Sequence, residues 1–259
     1  MTEPPEKRET REQFGKVAAR YRTSIDHTDP DDRKILISWL SLSPSHVVLD
    51  VATGGGHTAA AFAKLVRKVV ASDLTPEMLR EARILARERG LGNVGFVAAD
   101  AECLPFPTSS FDRVVCRIAP HHFPDVRAAI SEFVRVARQG GQVGIIDSVV
   151  PEDPALDSFM NGIERLRDSS HVRSYNLDEW VSFLKEAGLL LLHVSCAWKE
   201  HQFPEWVSRT GKPEAVQREV EEMFLSASPR VREFFRLRAE GGRVVSYSDE
   251  KGIFVGRKM

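Results

Sequence analysis

Val47-Val48-Leu49-Asp50-Val51-Ala52-Thr53-Gly54-Gly55-Gly56-His57-Thr58 is the stretch from which the rest of the chain is read. Val47, Val48, Leu49 and Val51 form a short apolar run of the kind found in a strand buried on both faces. Three glycines follow, and then an alanine-rich helical stretch over residues 57–65. Strand, glycine turn and helix bring backbone N–H groups close to a ligand, with the helix N-terminus behind them. Asp50 is the unusual member, a carboxylate near the end of the strand and just ahead of the turn.

Outward from this stretch, apolar runs and helical patterns alternate. Residues 68–73 read as a second strand ending in Asp73. Thr75-Pro76-Glu77 then opens a helix, with Thr as N-cap, Pro in the first turn and Glu at its positive end. Met78, Leu79, Ala82, Leu85 and Ala86 give that helix its buried stripe, and Gly90 stops it. Residues 94–99 form a third strand followed by Asp100, then a loop with Glu102 and Leu104-Pro105-Phe106. Residues 111–118 form a fourth strand, leading to Ala119-Pro120-His121-His122-Phe123. A helix over 125–138 ends at Gly140-Gly141, and 142–150 is a fifth strand. Such alternation means a doubly wound parallel sheet, and ligands bind such sheets beyond the C-terminal strand ends. Asp50, Asp73, Asp100 and His121 all fall at such ends.

Flanking segments are less regular. Residues 1–12 are charged and proline-containing and are expected to be frayed or disordered. Phe14, Val17, Ala18 and Tyr21 then fall at helical spacing, on a helix that either packs on the body or covers a ligand site. Asp29-Pro30-Asp31-Asp32 reads as a helix start, with Ile35, Leu36, Trp39 and Leu40 as its buried stripe. Past residue 150, Pro151-Glu152-Asp153-Pro154 opens a helical insertion. Asn176 with Glu179 is a capping box, and Gly188 closes that helix. Residues 189–197 read as a sixth strand, 203–240 as helical, and 252–257 as a final strand.

At 259 residues the chain suits one large α/β domain. Hydrophobic residues make up 42% and charged residues 28%, ordinary for a globular protein, and a net charge of −1 offers no bulk attraction to nucleic acid or an anionic membrane. No apolar run approaches a membrane span, and the polar N-terminal residues do not resemble a signal peptide. Cys103, Cys116 and Cys196 are far apart and form no metal or redox motif, which fits reduced thiols in a cytoplasm.

Gly54-x-Gly56-x-x-Ala59 formally matches a dinucleotide fingerprint. Asp73 suits the ribose of either NAD or S-adenosylmethionine, so Asp50 separates the two. A carboxylate would repel a pyrophosphate, whereas S-adenosylmethionine carries an ammonium and a sulfonium, and its single carboxylate can use the loop N–H groups.

The run Asp50-Val51-Ala52-Thr53-Gly54-Gly55-Gly56, the strand-ending Asp73, Asp100-Ala101-Glu102 with Leu104-Pro105-Phe106, and Gly140-Gly141 together resemble the class I S-adenosylmethionine-dependent methyltransferases. The similar subgroup is the one related to the ubiquinone/menaquinone C-methyltransferases. Residues 117–123, Pro151-Glu152-Asp153-Pro154 and residues 168–173 resemble more specifically the YcgJ-type bacterial methyltransferases. The resemblance implies a Rossmann-like, seven-stranded, mostly parallel sheet with the last strand antiparallel, a helical N-terminal lid and a helical insertion after strand five. It implies one methyltransferase domain over 13–259, with a cofactor core at 47–150 and lid or substrate-side elements at 13–43, 151–187 and 201–240. Gly54 and Gly56, with Ala52 in the same turn, would hold the methionine part, with Asp50 near its amino group. Asp73 would bind ribose hydroxyls, and Leu74 and Met78 would lie against the adenosine. Asp100 would meet the adenine amino group, with Ala101 and Glu102 beside it. Arg117 would lie below the sulfonium, and Tyr21 resembles a lid tyrosine. Residues 117–123 depart from the quinone-pathway signature, so the quinone substrate does not carry over.

Methyl transfer needs alignment, exclusion of water and sometimes removal of a proton. It needs no metal. His121 and His122 are the candidates for a base, or else they line the site and position its occupants. His171 and Arg173 either close the pocket or form surface salt bridges, and Trp180, Trp198 and Trp206 either form a substrate lid or belong to the core. The expected activity is methylation of a small organic molecule, with carbon or oxygen favoured, by a cytoplasmic monomer or homodimer. A nicotinamide-dependent oxidoreductase and a non-catalytic S-adenosylmethionine-binding protein are the alternatives.

Overall fold

The computed structural model describes residues 4–23 and 31–259. Asp29 and Pro30 of the expected helix start lie outside the described residues. Among the described residues, helices α1 (Pro5–Thr23) and α2 (Asp31–Trp39) precede β1 (Val47–Val51). Then come α3 (His57–Ala63), β2 (Lys68–Asp73), α4 (Pro76–Glu88), β3 (Val94–Ala98) and β4 (Phe111–Arg117). A single 3-10 turn (Pro120–His122) leads to α5 (Val126–Val136) and β5 (Ala137–Val149). The insertion consists of α6 (Pro154–Arg167) and α7 (Leu177–Glu186), followed by β6 (Leu189–Gln202). Short helices α8 (Phe203–Ser208), α9 (Glu214–Leu225) and α10 (Pro229–Phe234) precede β7 (Arg238–Glu240) and β8 (Arg243–Lys258).

The main sheet runs β3-β2-β1-β4-β5-β8-β6, with β7 paired only to β8. Strands β1 to β5 pair in parallel, and β8 is antiparallel to both of its neighbours, β5 and β6. This is the mostly parallel, Rossmann-like sheet expected from the alternation, with one small strand added. The chain winds from β1 out to β3 and then returns past β1 to β4. The crevice beyond the ends of β1 and β4 is therefore the topological switch point, where a ligand site belongs.

Period-two alternation divides the core. Leu49, Val51, Val114, Cys116 and Ile145 face one side, packed with α5 and α7 through Phe133, Trp180 and Leu184. Val48, Val69, Val115 and Ile146 face the other, against Leu36, Leu40 and Phe62 of α2 and α3. A third apolar cluster, with Phe203, Trp206, Phe224 and Tyr247, lies among the helices after β5 and the start of β8. Trp180 and Trp206 are thus core residues, whereas Trp198 is exposed, its ring 5.5 Å from that of Phe234 and tilted by 57°.

Several boundaries move for identifiable reasons. The helix expected to begin near Gln13 begins at Pro5, so residues 5–12 are ordered in α1, not frayed. They are held by contacts that the charged sequence does not advertise, chief among them Lys7 against Asp100 and Glu102. Strand β5 starts at Ala137, taking the last residues of the expected helix. Ala137 faces Phe111 and Gln142 faces Arg113, so the Gly140-Gly141 stretch bulges out of the ladder instead of ending a helix. Strands β6 and β8 pair from Leu189–Lys258 through to Gln202–Ser246, well past both expected strands. The capping box of Asn176 and Glu179 is present on α7.

Trp180 is fully buried, so Trp180→Ala is expected to cost about 3–5 kcal/mol. Urea unfolding should show a lower midpoint with an unchanged slope.

Candidate active site at the carboxyl ends of the strands

The turn after β1 requires unusual backbone. Ala52 and Gly54 both have φ of 52° and Gly56 has φ of 84°. A Cβ on Gly56 would lie 2.8 Å from Ala82 Cβ, so glycine here lets the start of α3 pack on α4. Asp50, only 1% exposed, lies under the turn: the Thr53 hydroxyl donates to its Oδ2 at 2.5 Å, and the Ala59 N–H also bonds it. Burial outweighs these bonds and pushes the Asp50 carboxyl up to about 7. Asp50 and Gly56 do not line the cleft above. Asp50 supports the turn from below, through Thr53 and Ala59.

Ala52, Gly54, Asp73, Leu74, Met78, Asp100, Ala101, Glu102, Arg117, Tyr21, His121 and His122 all line a cleft enclosing about 1160 Å³, its open mouth included. Asp73 Oδ2 accepts from the Gly54 N–H and its Oδ1 from the Thr75 N–H, both at 2.9 Å. Thr75 thus caps α4 by position; its hydroxyl bonds Asp73 rather than the helix backbone. Burial pushes the Asp73 carboxyl up to about 6 against these bonds from Gly54 and Thr75. Asp100 Oδ1 accepts from the Glu102 N–H at 2.9 Å. Lys7 Nζ, reaching in from α1, lies 2.6 Å from Asp100 and 2.5 Å from Glu102. Phe14 and Tyr21 on the same helix close that side, in edge contact with each other at 5.4 Å. Arg117, at the end of β4, grips Asp32 of α2 through Nε and Nη2 at 2.9 and 2.8 Å.

The histidines are sorted by their partners. His121 Nδ1 lies 2.6 Å from Oδ1 of Asp147, a fully buried residue on β5. Burial alone would depress the imidazole; the charge and hydrogen bond of Asp147 overcome it, and His121 ends above its ordinary value. His122, with its ring 4.1 Å from that of His121, bonds the Ser170 backbone oxygen and hydroxyl through Nδ1. Burial, reinforced by the adjacent His121, pushes it down to about 4. His171 Nε2 bonds Asn161 Oδ1 at 2.9 Å, and burial takes it down to about 3. The N–H groups of Val172 and Arg173 donate to the His121 carbonyl oxygen at 2.9 and 3.1 Å, tying the insertion to the histidine turn. His171 and Arg173 themselves do not line the cleft; Arg173 pairs with Asp157 at 2.8 Å.

Sequence reasoning missed Lys7, Asp147, Arg167 and Asp168. Asp147 carried a signal, since it is the lone charge in the apolar run Ile145-Ile146-Asp147-Ser148-Val149-Val150. Lys7 carried none, because its neighbours are 93 and 95 positions away.

With this geometry in place, residues 48–141 match the model of a family described as a methyltransferase domain. The uncharacterized methyltransferase YcgJ of Bacillus subtilis is 37% identical over 235 residues, spanning 90% of this chain and 93% of its own length. The crystal structure of the YcgJ protein superposes with a TM-score of 0.85 at 35% identity, covering 89% of this chain and 99% of that one. A crystal structure from Bacillus halodurans C-125 also gives 0.85, at 38% identity with 88% and 99% coverage. Fold and site together define a class I methyltransferase. The chain belongs to that methyltransferase family, which sets aside both hydride transfer and a purely binding role.

Asp50 supplies a pH test. Its raised value means that it stabilises the fold fully below about pH 4 and loses that contribution as pH rises through about 7. Asp50→Asn should therefore gain on the parent protein in urea-unfolding free energy between pH 4.5 and 7.5.

Proposed function

We propose that this methyltransferase uses S-adenosylmethionine to methylate a small organic acceptor at oxygen or at an acidic carbon, with His121 as the base. The observation that carries this reading is the His121–Asp147 pair at the switch point, opening into the cleft that Gly54, Asp73 and Asp100 line. The donor set suits the cofactor. Asp73 keeps acceptor capacity beyond the bonds from Gly54 and Thr75, which fits a ribose hydroxyl. Leu74 and Met78 offer apolar walls to a flat heterocycle, and Asp100 and Ala101 stand beside them. The backbone of Thr53 to Gly55 faces the amino-acid end. When bound, S-adenosylmethionine supplies an electrophilic methyl group on a sulfonium.

The remaining work falls to the chain. Asp147 accepts from His121 Nδ1–H, which fixes the tautomer and leaves the Nε2 lone pair for the acceptor. Nε2 takes the acceptor's proton as its oxygen or carbon gains the methyl group. The resulting imidazolium is held by the Asp147 carboxylate. His122 stays neutral at pH 7, and with Phe14, whose ring meets it edge-on at 4.9 Å, it forms wall rather than acid. Tyr21, Phe14 and Lys7 on α1 exclude water from the same side.

Two measurements test the reading. Asp73→Ala should weaken S-adenosylhomocysteine binding by calorimetry about 10- to 100-fold, since hydrogen bonds to a charged group contribute roughly 1.5–3 kcal/mol. In the parent protein the affinity should rise with pH through about 6, because ligand donors favour the ionised Asp73. Absence of binding would sink the cofactor assignment. With labelled cofactor and a metabolite extract, His121→Gln should lower turnover about 10²- to 10⁴-fold while leaving S-adenosylhomocysteine affinity unchanged. Asp147→Asn should move the acid limb of the pH–rate profile to lower pH, because it removes the charge that raises His121; an unmoved limb counts against the base.

A further inference from the structure

The two imidazoles of the 3-10 turn differ in basicity and agree in tautomer. Nδ1 of His122 lies 3.1 Å from the Ser170 carbonyl oxygen, and a carbonyl can only accept, so Nδ1 carries a proton. The Ser170 hydroxyl leads to the same assignment. It donates to Asp168 Oδ1 at 2.5 Å and presents a lone pair to His122 Nδ1 at 3.2 Å. Burial opposes ionisation of Asp168, but the charges and hydrogen bonds around it hold the carboxyl below its ordinary value, which leaves it an acceptor only. Neutral His122 therefore carries its lone pair at Nε2.

His121, whose Nδ1 faces Asp147 at 2.6 Å, presents Nε2 in the same form. Neither Nε2 has a hydrogen-bond partner among the described residues, and neither is sealed from the cleft that both residues line. The ring centres are 4.1 Å apart. The cleft thus holds two neighbouring acceptors of unequal strength. Rings this close are spanned by donors on adjacent carbons, with a hydrogen bond of about 2.8 Å to each. A fixed acceptor of this kind rejects a ligand that lacks the matching donor.

On the methyl-transfer reading above, we propose that His122 selects the acceptor: a phenol- or enol-type hydroxyl compound with a second hydroxyl on the neighbouring carbon. One O–H faces His121 Nε2 and the other faces His122 Nε2. The first gives its proton to His121 as its oxygen takes the methyl group, and the electron pair of the broken S–CH3 bond stays on sulfur. The second keeps its proton, because His122, pushed down by burial, is too weak a base to take it. His122 thus sets specificity and leaves the proton transfer to His121. The acidity of the acceptor follows from the base: a phenol, with a value of about 10, is within reach of an imidazole, and an aliphatic hydroxyl is not. The product carries an ether oxygen where one donor was. Turned over to offer its remaining O–H to His121, it would set that oxygen against the His122 lone pair, so transfer stops after one methyl group.

The test uses the full-length protein saturated with S-adenosylhomocysteine and four matched probes: catechol, phenol, guaiacol and resorcinol. Calorimetry or saturation-transfer NMR should show saturable catechol binding at least tenfold tighter than that of the other three. His122→Asn keeps an N–H donor toward Ser170 and removes the acceptor at the Nε2 position, so catechol should lose at least tenfold in affinity and phenol little. His122→Gln, whose amide oxygen reaches that position, should restore part of the loss. Equal binding of phenol and catechol, tighter binding of resorcinol, or no saturable catechol binding overturns the proposal. So does a fall in S-adenosylhomocysteine affinity on His122→Asn, which would put His122 on the cofactor. The comparison of probes on the parent protein stands even where a variant folds poorly. If S-adenosylhomocysteine itself fails to bind, the cofactor assignment falls separately, and the same four probes on the ligand-free protein still decide the role of His122.

Discussion

The site depends on a buried carboxyl beneath the cleft floor. Asp50, beneath the turn after β1, accepts from the Thr53 hydroxyl and the Ala59 N–H, and so couples the strand end, the turn and the first turn of α3. Asp73 repeats the device one strand over, linking the Gly54 N–H of the same turn to the Thr75 N–H that starts α4. Two neighbouring parallel strands thus carry acids near their ends that bind the backbone on one side of the switch point. The left-handed residues Ala52, Gly54 and Gly56 are held in place by these bonds. Both carboxyls bear a desolvation cost, visible in their raised values, in return for a fixed turn geometry.

A second constraint separates two adjacent imidazoles. His121 and His122 share a 3-10 turn and nearly the same burial, yet their proton affinities move in opposite directions. Only the partner differs: a buried carboxylate for one, a backbone oxygen and a hydroxyl for the other. Divergence of this kind assigns roles to like residues at one site. The split depends on β5 lying beside β4, since that register brings Asp147 past the end of Arg117.

Much of this was legible in the sequence because it is local. The β1 turn, the acids at the ends of β2 and β3, and the alternation of strands and helices are short-range patterns that the parallel sheet converts into proximity. Asp50 was legible as a residue, but its burial was not, because sequence shows its position on the strand and not the turn backbone that roofs it. Arg117 was placed at the site, but its grip on Asp32, 85 positions away, was not foreseeable. The polar alternation of Arg243-Val244-Val245-Ser246-Tyr247-Ser248-Asp249-Glu250-Lys251 gave no apolar run, so the first half of β8 went unread, and with it Asp249 and Lys251. Those residues form a strand because β6 supplies the ladder, which is a long-range cause.

The position of β8 also bears on how the molecule is assembled. The strand nearest the chain's end is not at the sheet's edge but between β5 and β6, satisfying both along nearly their whole length. During synthesis, β5 and β6 emerge with those edges bare, and no neighbour closes the gap until residues 243–258 have left the ribosome. The half of the sheet from β3 to β5 can form while the chain is still growing, but the insertion side cannot be fastened to it. A nascent chain therefore presents two open edges as templates for mispairing until residues 243–258 insert between them.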